Sequence, residues 1–440
     1  MSTSADMTPT LSMPSLVLPL ELHDYIIDFL HDETDELKRT ALVCRYWLSS
    51  SRFHLFSSVT LLPPLEAPSH SSSPSPCKRL ENVIAKSPDV SRYIQELSLY
   101  EGSRHGRMGW AWMHAESSLP KLLDAVKGSL NTLCIQADPR ERPPLAIRLA
   151  RFPESLVHVF GRLAEQQDPF THLRHLRLKG LTLPSLQSVA TLVAAMPALK
   201  DLDLVHIRAS STEEVAPYPE VSGSRKAELE SLQVISRDAD GFIRCLLHEQ
   251  ASASLYHLRS LAYTTGIGHM GVVNDILRAC PNSLASFELF ASSPLHQIVQ
   301  APPRDDKIPD LSRNPAIRTI LLDGDILPDS CDILHFSVAV LSTLPPENVL
   351  EHFSLTIALT CRLPAPTLDD SLASCARLDA LLAENGRFPR LERVRVDFRI
   401  YEYDREEEGA QPADVLAGQF LARLSKLDAR GLLYADVSSV

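Results

Sequence analysis

The chain has 440 residues, of which 44% are apolar, so it can bury one large elongated domain or two to three ordinary ones. Its 55 acidic residues outnumber 43 basic residues and give a formal net charge of −12. A broad phosphate-binding surface needs the opposite balance, so neither nucleic acid nor an anionic membrane is an expected partner. No run of about 18 uncharged apolar residues predicts a membrane span, and the first residues do not resemble a secretory signal.

Composition divides the chain into four segments. Residues 1–17 are rich in Ser, Thr and Pro and are expected to be a flexible N-terminus. Residues 18–61 are strongly apolar, 62–76 form a Pro/Ser-rich linker or loop, and 77–440 alternate between helix-like and strand-like stretches. The eight cysteines are scattered without a CxxC pair, which is typical of reduced thiols in the cytoplasm or nucleus.

The first predicted element is a helix over residues 21–30. Its main apolar stripe recurs at helical spacing and consists of Leu22, Ile26, Phe29 and Leu30. Ile27 lies off that stripe, so this helix is apolar on more than one side. A second helical segment with Leu37 and Ala41 follows, and Val59 to Leu61 resembles an exit strand.

These two or three helices have more apolar surface than they can bury among themselves. We therefore expect another protein, or the rest of the chain, to cover part of this block. An ordinary helical hairpin that caps the following region is the alternative interpretation.

The order of residues within the block adds a family resemblance. The segments LPLELHDYIIDFL and LKRTALVCRYWLSSSRFHLFSSVTL closely resemble the F-box, in particular the version found in fungal F-box proteins. The resemblance covers residues 18–61, roughly a tenth of the chain. It implies binding to the Skp-type adaptor of an SCF ubiquitin ligase and, through the adaptor, to a cullin. The positions that match the adaptor-binding motif are Leu18, Pro19, Leu22, Ile26, Ile27, Leu30, Leu42, Val43, Cys44 and Trp47.

From residue 90 onward one apolar triplet recurs, with two residues between its first and second members and one between its second and third. The ten triplets are Ile94-Leu97-Leu99, Leu130-Leu133-Ile135, Leu173-Leu176-Leu178, Leu199-Leu202-Leu204, Leu229-Leu232-Val234, Leu258-Leu261-Tyr263, Leu284-Phe287-Leu289, Ile317-Ile320-Leu322, Leu350-Phe353-Leu355 and Leu391-Val394-Val396. Helix-like stretches lie between them, as in leucine-rich repeats.

The triplets begin at unequal intervals, from 26 residues (173 to 199) to 43 residues (130 to 173), and none is followed by the asparagine or cysteine usual in that family. The predicted fold is therefore α/β: a small all-helical F-box, then an irregular leucine-rich-repeat-like solenoid of parallel strands and helices. An ordinary α/β domain with a parallel sheet shows the same alternation and is the alternative.

Charged residues lie between the apolar positions of several triplets and are expected on the outward strand face. Examples are Arg174, His175, Arg177, Lys200, Asp201, Asp203, Glu392, Arg393 and Arg395. They either contact a protein substrate or form a solvated strand face. His172 and His175 are expected on opposite faces of a strand, so they do not predict a metal site.

No known catalytic motif is present, and the sequence predicts no catalytic, cofactor-binding or metal-binding residue. The expected function is that of a non-catalytic substrate-recognition subunit of an SCF ubiquitin ligase, with an unknown protein substrate. A leucine-rich-repeat scaffold that acts without a cullin is the first alternative. An enzyme whose site is assembled from distant loops is the second.

Overall fold

The structure is a computed structural model and describes most of the chain. The described residues are 19–64, 74–101, 112–137, 150–165, 170–211, 226–236, 238–248, 253–265, 270–291, 308–326, 333–360, 365–384, 386–401 and 413–439. Within these ranges the chain forms fifteen helices and a large parallel sheet, so the predicted α/β class is confirmed.

The helices are mostly short. They are α1 Leu20–Asp28, α2 Thr34–Thr40, α3 Arg45–Ser57, α4 Pro76–Lys86, α5 Val90–Tyr93, α6 Trp112–Ala115, α7 Leu119–Val126, α8 Glu154–Glu165, α9 Gln187–Ala194, α10 Ala239–Leu247, α11 Met270–Ala279, α12 Ile333–Thr343, α13 Ala365–Ala383, α14 Ala413–Ala422 and α15 Ser425–Ala429.

The described residues contain seventeen strands. They are β1 Ser58–Leu61, β2 Glu96–Glu101, β3 Thr132–Ala137, β4 Ala150–Arg151, β5 His175–Lys179, β6 Leu181–Ser185, β7 Asp201–Val205, β8 Arg208–Ser211, β9 Ala227–Glu228, β10 Ser231–Ile235, β11 Ala253–Ser254, β12 Ser260–Thr265, β13 Ser286–Ala291, β14 Thr319–Ile326, β15 His352–Thr360, β16 Arg393–Tyr401 and β17 Leu433–Ser439.

Twelve strands form one sheet whose spatial order follows the chain: β1-β2-β3-β5-β7-β10-β12-β13-β14-β15-β16-β17. All eleven pairings in it are parallel. Parallel neighbours need a crossover, and the helices lie in these connections. Five short strands form two further parallel sheets, β4-β6-β8 and β9-β11, beside the middle of the chain.

The predicted triplets explain how the strands are aligned. Their second residues are paired from strand to strand in the series Leu97, Leu133, Leu176, Leu202, Leu232, Leu261, Phe287, Ile320, Phe353 and Val394. The third residues are aligned in the same way, and all thirty triplet residues are buried. A slip of one residue would turn these side chains to the opposite face, so burial fixes the register.

Backbone hydrogen bonds align the start of each strand in the same repeated geometry. The carbonyl of Gln95 accepts from the N–H groups of Asn131 and Thr132, at 2.7 and 2.9 Å. The carbonyl of the residue just before each later strand of the large sheet, up to β15, accepts in the same way from two successive N–H groups at the start of the next strand in that sheet. The last of these is Glu351, whose oxygen accepts from Glu392 and Arg393 at 2.9 and 3.2 Å. The strand starts therefore lie side by side even though the connections differ in length.

Buried asparagines join successive units at their turns. The Asn314 side-chain amide donates to the carbonyls of Leu277 and Cys280, at 3.2 and 3.0 Å. The Asn348 amide donates to the carbonyls of Pro345 and Arg387, at 2.8 and 3.0 Å. These asparagines precede their strands, whereas the asparagine usual in leucine-rich repeats follows the strand.

The helical block is joined directly to the sheet. Strand β1, the predicted exit strand inside residues 18–61, pairs with β2 and forms the first strand of the large sheet. Helix α4 begins at Pro76, the last residue of the predicted linker, and the Ser75 hydroxyl accepts from the Lys78 N–H at 3.0 Å to cap it. None of the helices in the described ranges is long and apolar enough to cross a bilayer.

Candidate protein-interaction surfaces

Helices α1, α2 and α3 form a small block with very little interior. Its fully buried apolar side chains are Ile27 and Leu37, and its fully buried polar one is Ser51. The Ser51 hydroxyl forms a 3.0 Å hydrogen bond with that of Thr40, so even this interior is partly polar. Two buried aliphatic side chains supply only about 3–6 kcal/mol. The other described apolar side chains of the block are half-buried or exposed.

Helix α1 packs against α3 through a mostly polar face. The indole Nε1–H of Trp47 donates to Nδ1 of His23 at 2.6 Å, and the Ser50 hydroxyl donates to the Asp24 carboxylate. A turn further on, His54 Nε2 lies 2.8 Å from an oxygen of Asp28. The polar residues at positions 23, 24 and 28 share one side of α1 with buried Ile27. The opposite side of α1 is consequently the apolar one, and it faces solvent.

The apolar stripe predicted for α1 is exposed. Leu22 and Ile26 are exposed, and Leu30 is half-buried. Tyr25 and Phe29 form an edge-to-face pair with ring centroids 4.8 Å apart, although 59% and 68% of their surfaces are exposed. No described residue covers this stripe.

Ile27 requires a correction among the predicted adaptor contacts. It is fully buried, because it fills the interior beside the polar α1–α3 contacts. Its side chain is therefore not available to a partner unless the block opens. The neighbouring Ile26, one residue earlier, is exposed and is available.

A second exposed group lies between α2 and α3. Leu42 and Val43 occupy the connection, and Leu42 is 87% exposed, the largest value for any large apolar side chain in the described ranges. Cys44, also exposed, is the N-cap residue of α3. Trp47 is half-buried through its contact with His23. Pro19 is exposed and precedes α1, whereas Leu18 lies outside the described residues.

The exposed apolar residues are concentrated in this block. Eight of the thirteen large apolar side chains that the described residues expose lie between positions 22 and 53: Leu22, Tyr25, Ile26, Phe29, Leu42, Val43, Tyr46 and Phe53. The remaining five are spread over the rest of the chain. Single exposed apolar residues are ordinary, but a group of eight marks an interaction surface or an aggregation hazard.

Four of the eight were not predicted as contact residues: Tyr25, Phe29, Tyr46 and Phe53. The sequence indicates that Tyr25 and Phe29 lie on the same side of a helix, because they are four residues apart. This indication is not decisive, since helical spacing alone does not tell whether an apolar stripe faces inward or outward.

The outward face of the large sheet is a second candidate surface. Its charged residues form cross-strand ion pairs on both sides of the sheet's middle. Arg177 Nε lies 2.8 Å from Asp203, its partner in register, and His175 pairs with Asp201 in the same way. Near the other end, Arg399 Nη1 lies 3.0 Å from Asp323. The charged residues predicted to point outward do so, and they largely neutralise one another.

Several carboxyl groups on this face are desolvated. Burial raises the pKa of Asp201 although His175 lies beside it, and burial raises the pKa of Asp323 although Arg399 partly offsets the effect. Burial alone raises the pKa of Glu288. The outward face is thus partly shielded from water, which strengthens electrostatic interactions with anything that binds there.

Groups suited to chemistry are not assembled in the described part of the chain. No group of three or more His, Cys, Asp and Glu side chains there has the arrangement of a metal site. Burial raises the pKa of the Cys280 thiol to about 12, so this thiol is not a thiolate at neutral pH. Trp112 is buried in the core and donates to the carbonyl of Tyr100 at 2.7 Å.

Comparison with known proteins adds no family assignment, because the chain matches no protein-family model and no characterised protein closely enough to count as a relative. The functional argument therefore depends on the residues and geometry of the two surfaces.

Proposed function

We propose that this protein is the substrate-recognition subunit of an SCF-type ubiquitin ligase. In this proposal the helical block is an F-box that binds a Skp-type adaptor, and the outward face of the sheet binds a protein substrate. The observation that carries the proposal is the orientation of α1, whose polar side packs against α3 and whose apolar side is exposed. Eight exposed apolar side chains within 32 residues need a partner to cover them.

The positions of the exposed residues support an F-box in particular. Leu22, Ile26, Leu42 and Val43 match the adaptor-binding motif in sequence, and all four are exposed. A hairpin that merely capped the sheet would turn these side chains toward the sheet. Burial on binding of a side chain such as Leu42 would contribute about 1–3 kcal/mol.

The rest of the chain is proposed to be an irregular leucine-rich-repeat-like solenoid. Support comes from ten apolar triplets in one register, from strands that follow each other in chain order, and from repeated backbone bonds at the strand starts. Such an arrangement offers a long outward surface for a protein substrate. The chain would perform no bond chemistry; it would raise the local concentration of the substrate near a ubiquitin-charged enzyme, in the cytoplasm or nucleus.

Adaptor binding can be tested with a double variant, Leu42→Asp with Val43→Asp. Both side chains are exposed, so the charges are compatible with the folded block, whereas Trp47 takes part in internal packing and is less suitable. We expect the full chain to bind a purified Skp-type adaptor in calorimetric titration, and the double variant to lose that binding. Tyr256→Asp, at an exposed aromatic residue outside the block, is the matched control and should bind as the unmodified chain does.

Undiminished adaptor binding by the double variant would refute the docking surface. If the unmodified chain binds the adaptor, addition of a cullin distinguishes a ligase subunit from a scaffold that acts without a cullin. One complex of chain, adaptor and cullin in size-exclusion chromatography supports a ligase subunit. Adaptor binding that excludes the cullin supports the scaffold instead.

A further inference from the structure

Glu288 is an unpaired carboxylate in the middle of the outward sheet face. It lies on β13, the eighth of the twelve strands, between Ala262 on β12 and Leu321 on β14 in register. The side chain is half-buried, and no described residue forms a hydrogen bond or ion pair with it. Charged residues elsewhere on the face are mostly paired, so Glu288 differs from its surroundings.

The cations in the row of residues that contains Glu288 are far from it and are already paired. In the row of residues that contains Glu288, the nearest cation on the C-terminal side is Arg395, three strands away, and on the N-terminal side Arg177, four strands away. At about 4.8 Å per strand, the nearer one is about 14 Å distant. Arg395 bonds to Asp397 at 2.9 Å, and Arg177 bonds to Asp203.

An unpaired, partly desolvated carboxylate disfavours the folded chain, because water no longer solvates the charge fully and no counter-charge replaces it. The raised pKa of Glu288 has this same cause. A cation supplied by another molecule would remove the cost. The flanking Ala262, Leu321 and Phe290 are uncharged and can contact the aliphatic stem of a long basic side chain.

We propose that Glu288 binds an arginine side chain of the protein substrate, presented on an extended segment or loop that lies across β12, β13 and β14. Arginine fits better than lysine because its planar guanidinium is weakly hydrated and bonds a carboxylate through two N–H groups. The identification of the partner as a substrate rests on the ligase function proposed above, whereas the cation site itself does not.

The test uses the purified full chain and a displayed library of random 12-residue peptides. We expect the enriched peptides to share an arginine flanked by apolar residues. Replacement of that arginine by citrulline, or Glu288→Gln in the chain, should each weaken binding of the synthetic peptide about tenfold or more. Replacement by lysine should weaken it less. Glu96→Gln, on β2 six strands away, is the matched control and should change the affinity less than threefold.

The proposal is overturned if the enriched peptides contain no basic residue, or if the Glu288→Gln chain binds the peptide with the same affinity as the unmodified chain. It is also overturned if the unmodified chain binds the peptides no more tightly than the Glu288→Arg chain does. Self-association of the chain that Glu288→Arg abolishes would assign the site to a second copy, and would also overturn it. The Leu42→Asp, Val43→Asp variant should bind the peptides normally. If the unmodified chain binds the peptides but not the adaptor, the ligase function alone is refuted and the cation site is not.

Discussion

Two leucines of the helical block provide a quantitative test of the docking surface. Leu37 is 1% exposed and Leu42 is 87% exposed, so the same replacement by alanine should have opposite effects at the two positions. Leu37→Ala removes a side chain from the interior, and such replacements in cores cost about 2–5 kcal/mol of folding free energy. Leu42→Ala removes little that is buried, so its folding cost should stay within about 0.5 kcal/mol.

Adaptor binding should show the reverse order. Complete burial of a leucine side chain contributes about 1.5–3 kcal/mol. With 87% of Leu42 still exposed in the free chain, most of that is available on binding, and alanine would retain part of it. Leu42→Ala should therefore weaken adaptor binding by about 1–2 kcal/mol, which is about five- to thirtyfold in Kd.

Hydrogen exchange measured by mass spectrometry reports the stability of α1 to α3 without unfolding the sheet. Leu37→Ala should lower amide protection in α3, while Leu42→Ala should leave it unchanged. Calorimetric titration with the adaptor gives the second quantity. The reasoning is wrong if Leu42→Ala binds the adaptor as tightly as the unmodified chain, or if it reduces protection as much as Leu37→Ala does.

Three further predictions concern the sheet, and each is measured by differential scanning fluorimetry. Asn348→Ala leaves the partly buried Arg387 carbonyl without its side-chain donor and removes one of the two bonds to the Pro345 carbonyl, so it should cost about 1–3 kcal/mol and lower Tm. Gly180 has φ of +68°, so Gly180→Ala should cost about 1–2 kcal/mol and also lower Tm. Burial raises the pKa of Glu288 in the folded chain. At a pH between the ordinary pKa and this raised pKa, the folded chain binds a proton that the unfolded chain has lost. The free energy of unfolding therefore falls as the pH rises through this interval. Glu288→Gln should therefore raise Tm at pH 7 and leave it unchanged below about pH 4, where both states bind the proton; an unchanged Tm at pH 7 would mean that the charge is well solvated.

The ten strands of the large sheet that contain a triplet could be predicted because their signal is local and repeated, whereas β17 has no triplet and was not predicted. Each triplet places apolar residues two apart, which is the period of a strand, and a first apolar residue anchors the turn before it. The short strands β4, β6, β8, β9 and β11 were not predicted. They have two to five residues each, too few for a periodic pattern to show, and they form by pairing with each other.

The lengths of the repeated units could not be predicted from the triplets. The chain from a helix to the next strand is short in several units: two residues separate α5 from β2, and six separate α11 from β13. The stretch from a strand to the next helix varies more: it has three residues between β10 and α10 and sixteen between β3 and α8. Insertions on that side leave the aligned strand starts unchanged, because the repeated carbonyl bonds lie at the other end of the strands.

The orientation of α1 depends on contacts that sequence spacing cannot show. An apolar stripe on a helix is normally assigned to the interior, because burial of that stripe usually stabilises the fold. Here the interior side of α1 is fixed by three side-chain contacts to α3: His23 with Trp47, Asp24 with Ser50, and Asp28 with His54.

The partners in these contacts are 24 to 26 residues apart, so no local period marks them. A polar contact contributes less to folding than burial of the apolar stripe would. The stripe nevertheless remains exposed, and this orientation is the one that the proposed adaptor binding requires.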